Sequence, residues 1–181
     1  RQSGALWDPC KQSRDNSNML TAPGVLKDIA AMILMTLMYF SRIARFDMLK
    51  AIGFLAKRIT RWDGRCDCNL HRLMCYVYTT SKDVMMSWLG DDPAKLTEHL
   101  FVDSDFAGDP YTLKSTSGCH VDIQGPNTRF PVMGFSKGQT AIAQSSTEAE
   151  VTSISAGFKG HGEPMLSILD VLLNSYSDTQ R

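Results

Sequence analysis

The amino-acid sequence predicts an α/β fold in which a helical segment precedes a small antiparallel sheet. Apolar residues recur at helical spacing over residues 25–78, whereas they alternate with polar residues over residues 119–124. A capping-box pattern at Ser145 and Glu148 indicates that a further helix follows the strands. With 181 residues, 43% of them hydrophobic, the chain can bury the core of one ordinary domain and carry an appended segment.

Residues 1–24 are predicted to be a loose N-terminal arm, because they are rich in polar residues, proline and glycine and show little periodicity. They do not have the pattern of a secretory signal. The five cysteines of the chain are odd in number and irregularly spaced. We therefore expect reduced thiols and an intracellular location, cytoplasmic or nuclear.

Residues 25–90 are predicted to form a helical segment. Its longest apolar run, residues 29–40, is shorter than the roughly 20 residues that span a bilayer, so we expect a buried helix and no membrane partner. Gly64 and its neighbours divide the following residues into two more helices. Three methionines recur at every third residue of the apolar run, and we predict that they pack in the core. They are Met32, Met35 and Met38.

Residues 96–181 are predicted to hold three antiparallel strands. The turn signal Gly125-Pro126-Asn127-Thr128 joins the second strand to the third. Pro131 cannot donate a ladder hydrogen bond, which predicts that the third strand lies at the edge of the sheet. The apolar segments that predict the strands are residues 100–102, 119–123 and 130–135.

Two helices are predicted after the strands. The first begins at the capping box of Ser145 and Glu148 and covers the sheet. Glycines and a proline between Gly157 and Pro164 end it, and a second helix follows before the chain stops at Arg181.

Charge is distributed unevenly along a chain whose formal net charge is zero. Residues 1–90 hold 13 Lys and Arg against 7 Asp and Glu, while residues 91–181 hold 6 against 12. A basic half beside an acidic half is typical of a protein that grips a polyanion with one part and cations with the other, although solvated surface residues give the same pattern.

Two acidic clusters are the strongest candidates for a functional site. Asp103 follows an apolar run, which predicts a central strand that ends in a carboxylate, and such a carboxylate needs a partner or a metal ion. Glu150 is predicted to share a core-facing helical stripe with Ile154 and Phe158. Carboxylates that converge from separate elements indicate a nuclease that uses two metal ions.

Four ordered motifs resemble the ribonuclease H domain of copia-type retrotransposon polyproteins. The helical segment before them is similar to the connection between reverse transcriptase and ribonuclease H in the same family, and the likeness covers residues 26–174. The four motifs are Val102-Asp103-Ser104-Asp105-Phe106-Ala107-Gly108-Asp109, Lys114-Ser115-Thr116-Ser117-Gly118, Phe135-Ser136-Lys137-Gly138-Gln139 and Ser145-Ser146-Thr147-Glu148-Ala149-Glu150.

The resemblance implies a ribonuclease H-like fold and hydrolysis of the RNA strand of an RNA·DNA hybrid with two Mg²⁺ ions. Asp103 and Glu150 correspond to metal-binding catalytic carboxylates, and Asp105 and Glu148 to their neighbours. The partners implied are the hybrid and the rest of the retroelement polyprotein. Three residues are candidate contacts to the backbone of the hybrid: Lys114, Lys137 and Gln139.

The chain departs from the family pattern at its C-terminal end. The family places a third carboxylate on a fourth strand, whereas the only candidate here, Asp178, comes several residues early. The sheet is therefore expected to be incomplete. The alternative function is an inactive retroelement remnant that at most binds nucleic acid through its basic half.

Two further motifs indicate different chemistry. Residues 134–138 match the Gly-x-Ser-x-Gly pattern around the nucleophile of esterases, with His161 downstream. A Cys/His group at Cys66, Cys68, His71 and Cys75 has donors for zinc but no standard zinc spacing, so structural thiols are expected there.

Overall fold

The computed structural model describes residues 22–179, with side chains described as far as residue 175, so most of the predicted arm lies outside the described residues. The described chain is a mixed α/β protein with a three-stranded antiparallel sheet, as predicted. It divides into two compact units: a helical unit of residues 22–41 and 47–84, and a sheet unit of residues 42–46 and 85–179.

The helical unit contains three α-helices around one core. They are α1 (Lys27–Ser41), α2 (Leu49–Ala56) and α3 (Gly64–Thr79). Residues 22–24 are attached to this unit, because Pro23 forms a bridge with Asp63 and the Gly24 amide donates to the Trp62 carbonyl at 3.2 Å. The core consists of Ala30, Leu34, Met48, Ile52, Leu55, Trp62, Cys66, Leu70 and Leu73.

Asp67 is a buried carboxylate that ties α1 to α3. It is 3% exposed and accepts hydrogen bonds from the Trp62 indole at 2.7 Å and from the Val25 amide at 2.6 Å. The Leu26 amide donates to the same carboxylate at 3.2 Å. These donors offset the desolvation of the charge, so Asp67 fixes the start of α1.

Helix α1 is buried on one face only. Ala30 and Leu34 are fully buried, but Met32 and Met35 are 66% and 51% exposed, and only Met38 packs against the core. The prediction of a buried helix with core methionines was therefore wrong for Met32 and Met35, because a helix packed on one side buries only one stripe. Within residues 22–179, no helix has the length and apolar character needed to cross a membrane.

The sheet unit contains β1 (Thr97–Asp105), β2 (Thr116–Gly125) and β3 (Thr128–Gly138), in the spatial order β1-β2-β3. The edge position of β3 agrees with the prediction from Pro131, and the pairing of β2 with β3 shifts register between Val121 and Asp122. The prediction that Asp103 lies in a central strand was wrong. In the described sheet β2 is central and β1 is an edge strand.

The turn between β2 and β3 lies where the sequence predicts it. Gly125 pairs with Thr128, which closes a two-residue loop. Asp91 holds the tip of this loop, since its carboxylate accepts from the Asn127 amide at 2.6 Å. The Thr128 hydroxyl in turn accepts from the Gly90 amide at 3.1 Å.

Helix α4 (Ser146–Gly157) follows the sheet and has the predicted N-terminal cap. The Ser145 hydroxyl accepts from the Glu148 amide at 3.1 Å, and the Glu148 carboxylate accepts from the Gln144 amide at 2.8 Å. A π-helical turn, Phe158–Gly162, separates α4 from α5 (Glu163–Thr179), so the glycine-rich segment ends the first helix as expected.

Candidate functional site

Asp103 lies near the end of β1 with an exposed side chain. The preceding residue, Val102, packs against α4, because a Cβ added to Gly157 would lie 2.8 Å from a Val102 methyl group. Side chains alternate between the two faces of a strand. The Asp103 carboxylate therefore lies with Phe101 on the face of the sheet that α4 does not cover.

Glu150 lies in α4 and is half-buried. The prediction that Glu150 shares a core-facing stripe with Ile154 and Phe158 was wrong, since Ile154 is 55% exposed and Phe158 is 51% exposed. Small side chains let the helix approach the sheet closely, and they form the buried stripe instead: Ala149, Ser153 and Gly157.

Ser153 joins the two elements that carry the predicted site. Its hydroxyl is fully buried and donates to the Asp103 carbonyl at 2.7 Å. Helix α4 therefore contacts the backbone of β1 at Asp103, and it does so through Ser153, which lies three residues after Glu150. This hydrogen bond involves the Asp103 backbone and neither of the two carboxylates, so the structure brings together the elements rather than the acidic groups.

Gln139 fixes the start of α4. Its side-chain amide donates to the Ala149 carbonyl at 2.9 Å and to the Ser117 hydroxyl at 3.1 Å. The family resemblance predicts a contact to nucleic acid at Gln139, whereas neither this structural role of Gln139 nor that of Ser153 was predicted from the sequence. The recurrence of small residues at every fourth position of α4 is the signal that could have identified the buried face.

The two carboxylates have the donor chemistry that Mg²⁺ prefers. Within the described residues, no three or more His, Cys, Asp or Glu side chains are grouped so that they could hold a metal ion. A pair of carboxylates suits at most one hard cation that keeps most of its waters, whereas two ions need further carboxylates. Asp178 lies in the last turn of α5, and its side chain is outside the described residues.

Asp105 and Glu148, the acidic neighbours, have separate local roles. The Asp105 carboxylate accepts from the Thr116 amide, which holds the loop between β1 and β2. Glu148 completes the N-terminal cap of α4 through the Gln144 amide. Both agree with the loop and capping roles that the sequence indicates.

The two candidate lysines differ in their surroundings. The Lys114 ammonium donates to the Thr140 carbonyl at 2.6 Å, which ties it to the segment after β3. Lys137 is exposed near the end of β3. Lys137 pairs with Ser117 at the start of β2, and its exposed ammonium can contact a phosphate without first breaking a hydrogen bond, so Lys137 is the better placed of the two.

A polar cluster that the sequence analysis missed lies on the face of the sheet that carries Asp103. Asp122 is 2% exposed, contacts the His120 ring and lies 3.6 Å from the Arg129 guanidinium. The His120 ring packs edge-on against Phe46, with centroids 5.0 Å apart. Two cationic or protonatable partners compensate the buried carboxylate, which indicates a structural anchor.

The esterase pattern does not have the geometry of a nucleophile elbow. Ser136 lies inside β3, and α4 begins only at Ser146, so no sharp strand-to-helix turn exposes the hydroxyl. His161 packs on Phe135 with ring centroids 4.8 Å apart, and burial together with the charge of Arg42 lowers the pKa of His161.

Two of the three cysteines of α3 are part of its packing. Cys66 and Cys68 are buried, and burial raises the pKa of Cys66 to about 11. Cys75 is exposed, and its Sγ lies 3.9 Å from Nδ1 of His71, which is one turn earlier in the helix. A thiol with a raised pKa is a poor metal ligand, so the expected structural role is favoured for Cys66.

No protein-family model, curated protein or solved structure matches this chain. The ordered motifs and the geometry of β1 and α4 are therefore the observations that bear on function.

Proposed function

We propose that the chain is a fragment of a copia-type retroelement polyprotein whose sheet unit is a ribonuclease H-like module acting on RNA·DNA hybrids. The observation that carries the proposal is the bond between Ser153 and the Asp103 carbonyl, because it holds the helix of Glu150 against the strand of Asp103. The element order, three antiparallel strands followed by a capped helix, further supports the proposal.

In this proposal Asp103 and Glu150 would hold a divalent ion near the end of β1, and the ion when bound would supply the activation of water and the stabilisation of the leaving oxygen. The protein's own side chains position the helix of Glu150 and the backbone of the hybrid. Gln139 holds the start of α4 and Ser153 holds its second half against β1, both through part-buried hydrogen bonds, and Lys137 offers a positive charge for the backbone of the hybrid.

A second candidate function is binding of nucleic acid without cleavage. It is favoured by the direction of the Asp103 side chain, which lies on the face of the sheet away from α4, and by the small number of carboxylates near it. The basic half of the chain would then supply the affinity through contacts to phosphate.

A cleavage assay with a labelled RNA·DNA hybrid and Mg²⁺ tests the first function. We expect cleavage by the unmodified chain and a loss of more than about 100-fold in Asp103→Asn and Glu150→Gln, since each removes a proposed metal ligand. Glu148→Gln is the matched control, because it lies on the same helix and keeps an oxygen that can accept from Gln144.

The same samples separate the two functions. Salt-dependent binding of the hybrid with no cleavage by any form of the protein supports the remnant and contradicts the nuclease. Cleavage that survives both substitutions contradicts the assignment of Asp103 and Glu150. Absence of cleavage and binding contradicts both functions.

A further inference from the structure

Strand β1 has an open edge in the described sheet, because it pairs with β2 on one side only. The Asp103 carbonyl lies 3.8 Å from the position of a Cβ at Gly118, so the backbone groups of Asp103 point toward β2. These groups alternate in direction along an antiparallel strand, so those of Leu100 and Val102 point to the open edge. Unpaired N–H and C=O groups on a strand are a template for pairing with another chain.

Two polar side chains of β1 lack partners. Glu98 and Ser104 lie on the face that α4 covers, since they share the strand alternation of Val102. Both carboxylate oxygens of Glu98 and the hydroxyl of Ser104 are buried and have no hydrogen-bond partner within the described part of the chain. Each residue as a whole is only half-buried. An unpaired buried oxygen costs free energy, so an interaction that brings these groups together is favoured.

We propose that β1 pairs with β1 of a second copy, antiparallel and about a two-fold axis at Phe101. Phe101 is the middle residue of Thr97–Asp105, so this register pairs all nine residues of the strand. It places Glu98 of each copy opposite Ser104 of the other. Side chains that lie opposite each other across two strands are close neighbours, so the Ser104 hydroxyl can donate to the Glu98 carboxylate. The symmetry forms this pair twice.

Other registers lack this match. An axis at residue 100 would place Glu98 opposite Val102, and an axis at residue 102 would place Ser104 opposite Leu100. Each sets a polar side chain against an apolar one. A shift of the pairing by one residue would set the covered face of one strand against the open face of the other. The register with the longest overlap is therefore also the one that pairs the two polar groups.

The open face of the sheet gains matching contacts in the same register. Phe101 is 48% exposed and would meet Phe101 of the second copy at the axis, as an aromatic pair across two strands. His99 would lie opposite Asp103, which sets an imidazole against a carboxylate, and both are exposed. The Thr97 hydroxyl contacts His99 at Nε2, 3.1 Å away, so Nδ1 would approach Asp103. Pairing of the strands needs no metal ion and is independent of the proposed function.

Helix α4 leaves room for the second copy. Gly157 lies over both β1 and β2, since a Cβ there would be 2.8 Å from Val102 and 3.7 Å from Cys119. With neighbouring strands about 4.8 Å apart, the α4 helices of the two copies would lie about 10 Å apart. Packed helices have interaxial distances of about 8–10 Å. The two helices can therefore lie side by side on one face of the joined sheet.

Disulfide formation by Phe101→Cys in the full chain tests the register, with oxidised glutathione as the oxidant. Opposed Cα atoms at such an axis are about 4.5 Å apart, within the range of about 4.4–6.8 Å for disulfides. We expect a covalent dimer to form at least about tenfold faster than in the matched control His99→Cys, whose two copies would lie about 14 Å apart. Both variants carry Cys75→Ser, which removes an exposed thiol, and Cys10→Ser, which removes the thiol outside the described residues.

Sedimentation velocity over a range of concentrations tests the association itself. We expect a dimer that Phe101→Lys weakens by about tenfold or more, because like charges then meet at the axis. Trp88→Lys is the matched control. Trp88 is an aromatic residue with 57% exposure, and its backbone pairs with Arg129 at the opposite edge of the sheet.

Each outcome of these experiments decides the proposal. A monomer at every concentration overturns it, as does association that Phe101→Lys weakens no more than Trp88→Lys does. Equal rates of disulfide formation in Phe101→Cys and His99→Cys also overturn it, because they show that Phe101 does not lie on a two-fold axis. Circular dichroism checks that the variants keep the fold, and the cysteine variants decide the register even where Phe101→Lys lowers stability.

Discussion

Glu98 is a carboxylate whose surroundings do not compensate its charge. Both carboxylate oxygens are buried and have no hydrogen-bond partner among the described residues. Burial raises the pKa of Glu98 above its ordinary value near 4.5. The charge of Glu98 also contributes, after burial, to raising the pKa of Cys119 to about 11.

A raised pKa means that the folded state favours the protonated carboxyl. The stability contributed by this group is therefore fully present below the unfolded pKa and is lost as the pH rises through the folded pKa. Whenever Glu98 is ionised, the folded protein carries a buried carboxylate that costs free energy.

We expect Glu98→Gln to raise the free energy of unfolding at neutral pH by up to about 1 kcal/mol, because the amide carries no charge to desolvate. The gain should shrink as the pH falls toward the ordinary pKa of glutamate. Urea unfolding at several pH values measures it, with the exposed Glu163→Gln as the matched control. A loss of stability at neutral pH would show that the carboxylate has a stabilising partner.

At the scale of elements, the packing of α4 depends on a residue without a side chain. A Cβ at Gly157 would lie 2.8 Å from Val102, a β-branched neighbour with little freedom to move, whereas a Cβ at Gly160 would meet nothing within 4 Å. The two glycines are therefore a matched pair that separates crowding from backbone effects.

Gly157→Ala is expected to lower the free energy of unfolding by about 1–3 kcal/mol, since the added methyl overpacks the contact between α4 and β1. Gly160→Ala should leave stability unchanged or raise it by up to about 1 kcal/mol. Thermal unfolding followed by circular dichroism compares them. Equal effects of the two substitutions would contradict the close approach of α4 to the sheet.

Local signals in the sequence predict these elements better than their buried faces. The Ser145 cap and the turn at Gly125 were predicted because a few adjacent residues determine them. The buried stripe of α4 was not, because its small residues carry little hydrophobic signal while the larger Ile154 and Phe158 dominate the pattern and remain exposed. The exposed side of α1 was not predicted for a related reason. An apolar run does not determine how many faces of a helix pack against other elements.

At the scale of the whole molecule, the uneven charge of the sequence has a structural counterpart within the helical unit. Asp67 is buried and Asp63 caps α3, so these acids are used inside the unit. Cations such as Lys50 and Arg72 are exposed. The surface of this unit is thus more basic than its composition suggests, which suits polyanion binding.

Long-range arrangement is the part of the site that the sequence could not determine. The order of acidic residues along the chain placed Asp103 on a strand and Glu150 on the next covering helix, and both placements agree with the structure. The edge position of β1 and the outward direction of Asp103 depend on pairing between distant segments and on strand alternation against α4. Neither property leaves a local signature in the sequence.

Binding of Mn²⁺, an ion that shares the preference of Mg²⁺ for oxygen ligands, measured by electron paramagnetic resonance is the most direct test of the site at Asp103 and Glu150. We expect the chain to bind the ion, and Asp103→Asn and Glu150→Gln each to weaken binding by at least about tenfold, while Glu148→Gln does not. Equal affinity in all four proteins, or no binding by the unmodified chain, would contradict it.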